Sequence, residues 1–403
     1  MKSLRALLRP LLACAALLQG GALQAQEADI RWSGFATLGA VSTSASDLRF
    51  ARIGVDHPGP ENPDFGPDTV AGLQGNFRFG DRVGAALQVV SRETPEGKYT
   101  PRPSLAFLSY ALSPTLTVRA GRMRVPFFML SDTLDINYGN PWVRPPGEVY
   151  SLNPFPDLDG IDLLYRLQLG DTQLELHPYA GRSDIPLYKS GDIGLREALG
   201  FNLSITHGNL SLHLGHVRAR LKLQWDDPDY RQLTGVLRIL GRNDVLDDLS
   251  GHDGRARFSS AGFQWDDGDW LLIGEYARRE NTRYANSSHG WHLTAGHRFG
   301  NWLPFITFAR QTQDKPVASA DFANPVLAQA FDGFLASRNL AQRSTTIGVR
   351  WDVAANAAIK TEWTRTHTDR DAWGSFFPRG EPSAADMRGR TIDTLSLSLD
   401  VVF

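Results

Sequence analysis

The sequence predicts an all-β protein, a transmembrane antiparallel β-barrel of sixteen strands with short periplasmic turns and long extracellular loops. Apolar and polar residues alternate with period two along many segments. Tight turns alternate with longer connections, and the last segment, Ile392 to Phe403, alternates and ends on an aromatic residue. Because a barrel exposes half of each strand to lipid and half to water, it also explains a mean hydropathy of −0.28 in a chain with ten Trp and twenty-one Phe.

The N-terminal residues have the composition of a signal peptide, with basic, apolar and small residues in that order. They are Lys2, Arg5 and Arg9, the apolar run from Leu11 to Leu18, and Ala22 and Ala25. We expect residues 1–25 to be removed and residues 26–403 to form one barrel domain. Removal takes away three basic residues and the only cysteine, so the net charge changes from −2 to −5. The mature chain then has no thiol, and its stability must come from the hydrogen-bonded strands.

The turns determine the predicted topology. Seven short turns, such as Gly170-Asp171 and Gly300-Asn301, alternate with eight longer connections, which gives sixteen strands. An even number places both termini at the periplasmic end, and sixteen strands are enough to leave an aqueous lumen. A soluble sandwich or propeller would alternate too, but the signal peptide and the aromatic residues at strand ends favour a membrane barrel. Those aromatic residues are Trp142, Trp265, Trp270, Trp291, Phe299 and Trp302.

The last strand carries a resemblance to a known family. Leu395, Leu397, Leu399, Val401 and Phe403 share one face, and a closed barrel requires this strand to pair with the first, at about residues 30–43. This strand resembles the closing strand of the outer-membrane porins of Gram-negative bacteria. The resemblance implies an outer-membrane location, a homotrimer, and a signal at Leu399, Val401 and Phe403 that the barrel-assembly machinery reads.

A second resemblance lies in the segment from Val118 to Phe127. Its sequence, VRAGRMRVPF, is similar to a basic strand of anion-selective and general-diffusion porins. The chain departs from specialised porins because it has neither a lysine ladder, as in phosphate-type porins, nor a long tryptophan-tyrosine slide, as in sugar porins. The resemblance therefore implies no particular solute.

The connection after this strand, residues 126–157, is the position at which sixteen-stranded porins fold a loop into the lumen. We expect it to narrow the pore, with loop charges opposite wall arginines, so that a transverse field acts on solutes. The candidate constriction residues are Arg119, Arg122, Arg124, Asp132, Asp135, Arg144 and Glu148. Two alternatives remain open: the arginines form ion pairs within the wall, or some face outward because Gly121 permits a bulge.

Polar positions on the predicted inner face mix both charge signs, which predicts weak ion selectivity. The candidate pore-lining residues are Asp162, Arg166, Glu175, His177, Glu275, Arg298, Arg350, Lys360 and Glu362. Each could equally be an ordinary water-facing barrel residue. Segments 104–112 and 302–311 are apolar on both faces, which indicates a subunit interface or a wall covered by a loop. Residues 224–255 are expected to form a solvated loop, and residues 320–337 a short helix.

Enzyme motifs for metalloprotease, serine hydrolase or nucleotide chemistry do not occur in the sequence, and we expect no catalytic activity, cofactor, metal site or nucleic-acid partner. Three functions remain. The first is a passive channel for small hydrophilic solutes, surrounded by outer-membrane lipids and lipopolysaccharide. The second is a channel specific for small anions or carboxylated nutrients. The third is a non-conducting structural or adhesive barrel.

Overall fold

The computed structural model describes residues 29–52, 62–124, 126–187, 191–224, 228–249, 254–378, 387 and 389–403. The predicted signal peptide lies outside the described residues and stays a prediction. Period-two alternation produces long strands throughout, in which exposed and covered side chains take turns.

Sixteen strands form one closed antiparallel barrel, and a two-stranded sheet lies beside it. The barrel strands are β1 (Asp29–Thr43), β3 (Val70–Phe79), β4 (Val83–Arg92), β5 (Arg102–Ser113), β6 (Leu116–Met123), β7 (Leu158–Leu169), β8 (Thr172–Leu187), β9 (Gly191–His207), β10 (Leu210–Gln224), β11 (Gly254–Asp266), β12 (Trp270–Asn281), β13 (Ser287–His297), β14 (Trp302–Lys315), β15 (Gln342–Ala354), β16 (Ala357–Thr368) and β18 (Thr391–Val402). The small sheet pairs β2 (Leu48–Phe50) with β17 (Phe376–Pro378). The predicted fold class and strand number are confirmed.

The barrel closes where the sequence predicts. Strand β18 pairs with β1 on one side, with Leu38 opposite Leu399, and with β16 on the other. The chain end takes part as well, because Gly34 N donates to Phe403 O at 2.7 Å and Phe403 N donates to Gly34 O at 3.0 Å. No strand edge is left open at this junction, which a barrel in lipid requires.

The outer surface of the barrel carries a belt of exposed apolar side chains. It includes Leu38, Leu73, Leu87, Leu108, Leu163, Leu199, Leu214, Leu293, Phe308, Ile347, Trp363 and Leu397. Aromatic residues such as Trp32, Trp270, Trp302 and Phe403 are exposed near the end of the barrel that carries the short turns. An apolar belt bordered by aromatic residues is the outer surface of a membrane barrel.

The α-helices lie in connections between strands. Helix α1 (Gly147–Tyr150) and the 3-10 turns at Ser131–Thr133 and Asn137–Gly139 lie in the segment between β6 and β7, whereas α2 (Pro228–Ile239), α3 (Asn243–Asp248) and α4 (Pro325–Ala336) lie at the opposite, extracellular end. None of the helices in the described part of the chain is long and apolar enough to cross a membrane.

Helix α4 confirms the predicted helix, and its start is capped because the Asn324 side chain accepts hydrogen bonds from Val326 N and Leu327 N. The sequence analysis missed α2 and α3 and expected only a solvated loop there. Apolar side chains of the three helices form one cluster that includes Leu237, Val245 and Phe331. We call α2, α3 and α4 the helical cap.

Candidate functional site

The segment between β6 and β7 contacts the inner wall of the barrel. Trp142 Nε1 donates to Thr294 Oγ1 of β13 at 3.1 Å and to Thr307 Oγ1 of β14 at 3.0 Å. Lys360 Nζ of β16 donates to Asn137 O at 2.6 Å and to Trp142 O at 2.9 Å. These wall residues share the inward parity of their strands, because the alternate positions carry the exposed apolar belt. We call residues 126–157 the inner loop.

Two charged wall residues, Glu362 and Arg350, bind the backbone of the inner loop. Glu362 accepts a hydrogen bond from Val143 N at 2.7 Å, and Arg350 donates to Asn140 O at 3.0 Å and to Tyr138 O. Because the donors and acceptors of a non-regular backbone need partners when buried, these wall charges satisfy groups that secondary structure would satisfy elsewhere.

The inner loop makes further contacts along the same stretch of wall, from β12 to β15. Glu275 of β12 accepts hydrogen bonds from Met129 N at 2.9 Å and from the Tyr150 hydroxyl at 2.7 Å. A side chain at Gly290 of β13 would overlap the carbonyl oxygen of Glu148, so the loop backbone lies against the wall there. The carboxylate of Glu148 accepts from Gln342 Nε2 of β15 at 2.9 Å.

Apolar contacts fill the space between this loop and the wall. Trp142, 1% exposed, packs with Leu303 and Phe305 of β14, and Phe128 packs against Phe258 of β11 at 5.0 Å between ring centroids. The placement of Trp142 at a strand end was wrong, because its indole is buried inside the barrel. The segment 302–311 is apolar on both faces because its inner face is covered by the loop, as one of the two interpretations predicted.

The three candidate arginines of the VRAGRMRVPF segment point to different places. Arg119 faces inward, with Asp162 Oδ1 2.9 Å from its Nε and His177 3.3 Å from its Nη2. Arg122 forms an outward-facing ion pair with Asp159 at 2.7 Å. Gly121 has φ +133°, yet strand pairing stays in register on both sides of it, so no register shift changes which way these arginines face.

Arg124 follows the end of β6 and turns inward to the inner loop. Its Nη2 lies 2.6 Å from Asp135 Oδ2, and Arg92 Nη1 lies 2.9 Å from the other oxygen of the same carboxylate. Burial raises the pKa of Asp135, but Arg124 and Arg92 outweigh burial and hold this pKa well below its usual range. Arg144 is likewise paired, with Asp68, and also donates to Ser396 Oγ at 3.0 Å. The loop and wall charges therefore neutralise one another by direct contact.

The other candidates divide into two groups. Asp162, His177, Glu275, Lys360 and Glu362 are buried on the inner wall, and Arg350 is partly buried. Arg166 with Glu175 at 2.5 Å, and Arg298 with Asp266 at 2.7 Å, form accessible ion pairs towards the periplasmic end. Asp132 is exposed on the inner loop. Which of these side chains a solute meets stays a prediction.

An apolar cavity of about 230 Å³ lies on the extracellular side of the inner loop. It is bounded by Leu152 and Phe155 of the loop and by Leu195 and Leu221 of the wall. A water-filled lumen is expected to be lined by polar residues, but the inward face of β10 becomes apolar towards its extracellular end. Its first half directs Leu212 and Leu214 outward, whereas its second half directs apolar residues inward, including Leu221 and Leu223. We call this cavity the outer vestibule.

One cation of the outer vestibule has only neutral partners. Arg279 of β12 donates to Leu152 O and Asn286 O, each at 3.2 Å, and to the Asn286 side chain. No carboxylate within the described residues forms an ion pair with it. Asn281 Oδ1 and Trp373 Nε1, also at the vestibule, are buried and have no hydrogen-bond partner in the described part of the protein. The vestibule therefore combines an apolar wall, the Arg279 guanidinium and, within the described residues, buried polar atoms that have no hydrogen-bond partner.

Several residues that hold the inner loop were not found from the sequence. They include Thr294, Thr307, Asp68 and Asp400, each of which is buried where it contacts the loop or a residue that binds the loop. Thr294 and Thr307 stand directly opposite each other in neighbouring strands, with hydroxyls 2.7 Å apart. The inward parity of these positions was readable, but the partner in the loop was not.

Comparisons with known proteins support the fold. No family model matches the chain, and no curated protein sequence matches it. Among solved structures, it is similar to an anion-selective porin from Comamonas acidovorans, with 10% identity, a TM-score of 0.55, and coverage of 94% of this chain and 100% of that one. It is also similar to the outer-membrane channel DcaP of Acinetobacter baumannii, with 14% identity, a TM-score of 0.53, and coverage of 96% and 100%.

A third neighbour is the outer-membrane protein OmpT of Vibrio cholerae in its trimer form, with 10% identity, a TM-score of 0.53, and coverage of 94% of this chain and 100% of that one. Identities this low establish similarity of fold. The closed barrel, its apolar belt and these neighbours define a sixteen-stranded β-barrel of the Gram-negative outer membrane, with a porin-like architecture. The predicted resemblance and location are confirmed at this level.

Proposed function

We propose that the protein is an outer-membrane porin, a water-filled channel for passive diffusion of small hydrophilic solutes that is constricted by the inner loop. The observation that carries the proposal is the attachment of this loop to the inner wall by Lys360, Glu362 and Arg350. On the periplasmic side of the loop, inward positions carry accessible polar side chains such as Asn76 and Arg166. The proposal assigns transport and no catalytic reaction to the chain.

The charge arrangement supports weak selectivity in this channel. Asp135 with Arg124, Asp162 with Arg119, and Asp68 with Arg144 each place opposite charges in contact. Because paired charges produce only a short-range field, solutes would be sorted mainly by size and by the width that the loop leaves open.

Conductance of the purified full-length protein in a planar bilayer tests the proposal. Replacing residues 137–145 by a short flexible linker removes the loop contacts to Lys360 and Glu362, so we expect a larger single-channel conductance. A matched control shortens the outer connection at residues 94–100 and should leave the conductance unchanged. A silent wild-type protein would favour a structural or adhesive barrel, and unchanged conductance in the loop variant would contradict the constriction.

The assembly proposed for this channel is a homotrimer. The trimer form of the OmpT neighbour supports it as an arrangement that this fold can adopt. Stepwise closure of one inserted particle in three equal conductance steps, together with the mass of the detergent complex, would test it. A single step from a monomeric complex would contradict trimerisation without affecting the channel proposal.

The outer vestibule favours a second candidate, a channel specific for small carboxylated solutes. Its apolar wall can cover a hydrocarbon body, and Arg279, which has no carboxylate partner among the described residues, can bind a carboxylate. A small amphipathic anion is complementary to both features, whereas a sugar would leave the apolar surface uncovered.

Current block distinguishes the two candidates. If the vestibule selects amphipathic anions, benzoate should reduce single-channel current at concentrations where benzamide, its neutral analogue, has no effect. Arg279→Gln should remove the block, and Arg298→Gln, which changes a periplasmic ion pair, should retain it. Equal effects of benzoate and benzamide, or block that persists in Arg279→Gln, would leave only the unselective channel.

A further inference from the structure

Arginines of neighbouring strands stand directly opposite one another on the outer wall. Arg220 of β10 pairs with Arg196 of β9 on one side and with Arg255 of β11 on the other. Two residues earlier on β10, Arg218 pairs with Arg257 of β11. Like charges that face each other across strands destabilise a sheet, so strand pairing itself does not account for this pattern.

A third row lies on another part of the wall. Arg310 of β14 pairs with Arg343 of β15, and Arg343 pairs with His367 of β16. Arg365 lies two residues before His367 on the same face, where its guanidinium is 5.3 Å from the ring centre of Trp363. We call these three sets the arginine rows.

The arginine rows face away from the lumen and lie in the extracellular halves of their strands. They share strand parity with Leu214 and Phe308, which belong to the exposed apolar belt. Each row lies between this belt and the extracellular loops. The outward positions at the periplasmic ends of the same strands are instead apolar or aromatic, as at Leu210 and Trp302. The positive charge is therefore at the level of the outer-leaflet headgroups.

Only part of this charge is compensated within the protein. Arg196 contacts Asp184 at 2.6 Å, and Arg220 contacts Glu197 at 3.0 Å. Arg310 contacts Asp369 at 3.2 Å, and Arg365 contacts Asp393 at 2.9 Å. The remaining arginines of the rows are exposed and form no ion pair within the described ranges of the chain. They are Arg218, Arg255, Arg257 and Arg343.

We propose that the arginine rows bind the phosphate groups of lipopolysaccharide in the outer leaflet. A planar guanidinium can bind two phosphate oxygens at once, and strands about 4.8 Å apart place adjacent arginines within reach of one phosphate. A phosphate bound between two opposed arginines attracts both guanidinium groups and offsets the repulsion between them. The position above the apolar belt assigns the phosphate to the lipid and not to a free ion. This inference does not depend on whether the barrel conducts.

Binding of lipid A to the full-length protein in detergent tests the proposal. The probes are bisphosphorylated lipid A and the same lipid after removal of both phosphates, measured by native mass spectrometry. Arg218→Gln with Arg257→Gln, and separately Arg310→Gln with Arg343→Gln, should each weaken binding of the phosphorylated lipid about 30-fold, if each arginine contributes about 1 kcal/mol. The dephosphorylated lipid should bind weakly to all variants.

The matched control is Arg78→Gln with Arg238→Gln, which removes the same charge from a lumen-facing strand end and from the exposed face of helix α2. It should bind lipid A like the wild type. Equal loss in the control would mean that total charge, not the rows, drives binding and would overturn the proposal. Equal binding of the dephosphorylated lipid, or displacement of lipid A by millimolar inorganic phosphate, would overturn it as well.

Discussion

The ammonium of Lys360 lies 2.9 Å from the carboxylate of Asp400, and both side chains are fully buried in the inner wall. The same ammonium donates to the carbonyl oxygens of Asn137 and Trp142. One cation therefore joins strands β16 and β18 to two points of the inner loop. A buried ion pair is tolerated when further hydrogen bonds satisfy its remaining donors and acceptors, and here the loop backbone supplies them.

We expect Lys360→Met to lower the free energy of unfolding by about 3–5 kcal/mol, because it leaves Asp400 as an unpaired buried charge. Urea unfolding in lipid vesicles, followed by tryptophan fluorescence, measures this loss. Lys360→Met combined with Asp400→Leu should lose less than the single variant, since no isolated charge remains. Losses that simply add in the double variant would contradict coupling between the two residues.

The indole of Trp142 contributes to stability through hydrogen bonds and through packing, and two substitutions can separate these contributions. Trp142→Phe removes the N–H that Thr294 and Thr307 accept, but the two hydroxyls still bind each other, so we expect a loss of about 1 kcal/mol. Trp142→Ala also leaves a cavity against Leu303 and Phe305, with an expected loss of about 3–5 kcal/mol and a noisier open-channel current. Equal losses for the two variants would show that packing contributes little.

The sequence predicted the barrel because its determinants are local. Alternation along Ile161 to Leu169 and the turn at Gly170-Asp171 need only neighbouring residues, and the strand count follows from their repetition. The pairing of β18 with β1 was predictable although these strands are far apart in the chain, because a barrel in lipid cannot leave either edge open.

The contacts of the inner loop were not predictable because they join residues that are far apart in sequence without a periodic pattern. The alternation of β16 indicated that Lys360 and Glu362 face inward. It did not indicate whether their hydrogen-bond partner is water or the backbone of the inner loop. Helices α2 and α3 escaped detection for a related reason. The many aspartates of residues 224–255 indicated a solvated loop, and the apolar faces of these helices are covered only by partners from each other and from α4.

The close approach of the inner loop to Gly290 of β13 gives a third prediction. A side chain at Gly290 would overlap the Glu148 carbonyl, and its neighbours on β13 cannot move without breaking the strand ladder. Gly290→Val should therefore displace helix α1 and increase protease cleavage within residues 146–153. Gly235→Ala is the control, since a side chain on this face of α2 meets open space. Cleavage that matches the control would mean that the loop adjusts at no cost.

Acidification should change ion selectivity through Asp157, at the end of the inner loop. Its burial raises its pKa, which the nearby Arg102 and Arg122 only partly offset, whereas the pKa of Asp135 is lowered. As the pH falls from 7, Asp157 becomes neutral before an ordinary aspartate, whose pKa is about 3.9, and Asp135 stays charged. Arg102, 3.0 Å from Asp157, then keeps an uncompensated positive charge.

Protonation of Asp157 also changes the stability of the folded protein with pH. A carboxyl group whose folded pKa is raised binds more protons when folded, so its contribution to stability increases as the pH falls through that pKa.

Reversal potentials in a potassium chloride gradient should shift towards chloride selectivity between pH 7 and about 4, the region of the ordinary aspartate pKa. Asp157→Asn should show the acid selectivity already at pH 7 and lose the shift. A shift that persists in Asp157→Asn would assign the titration to another carboxylate.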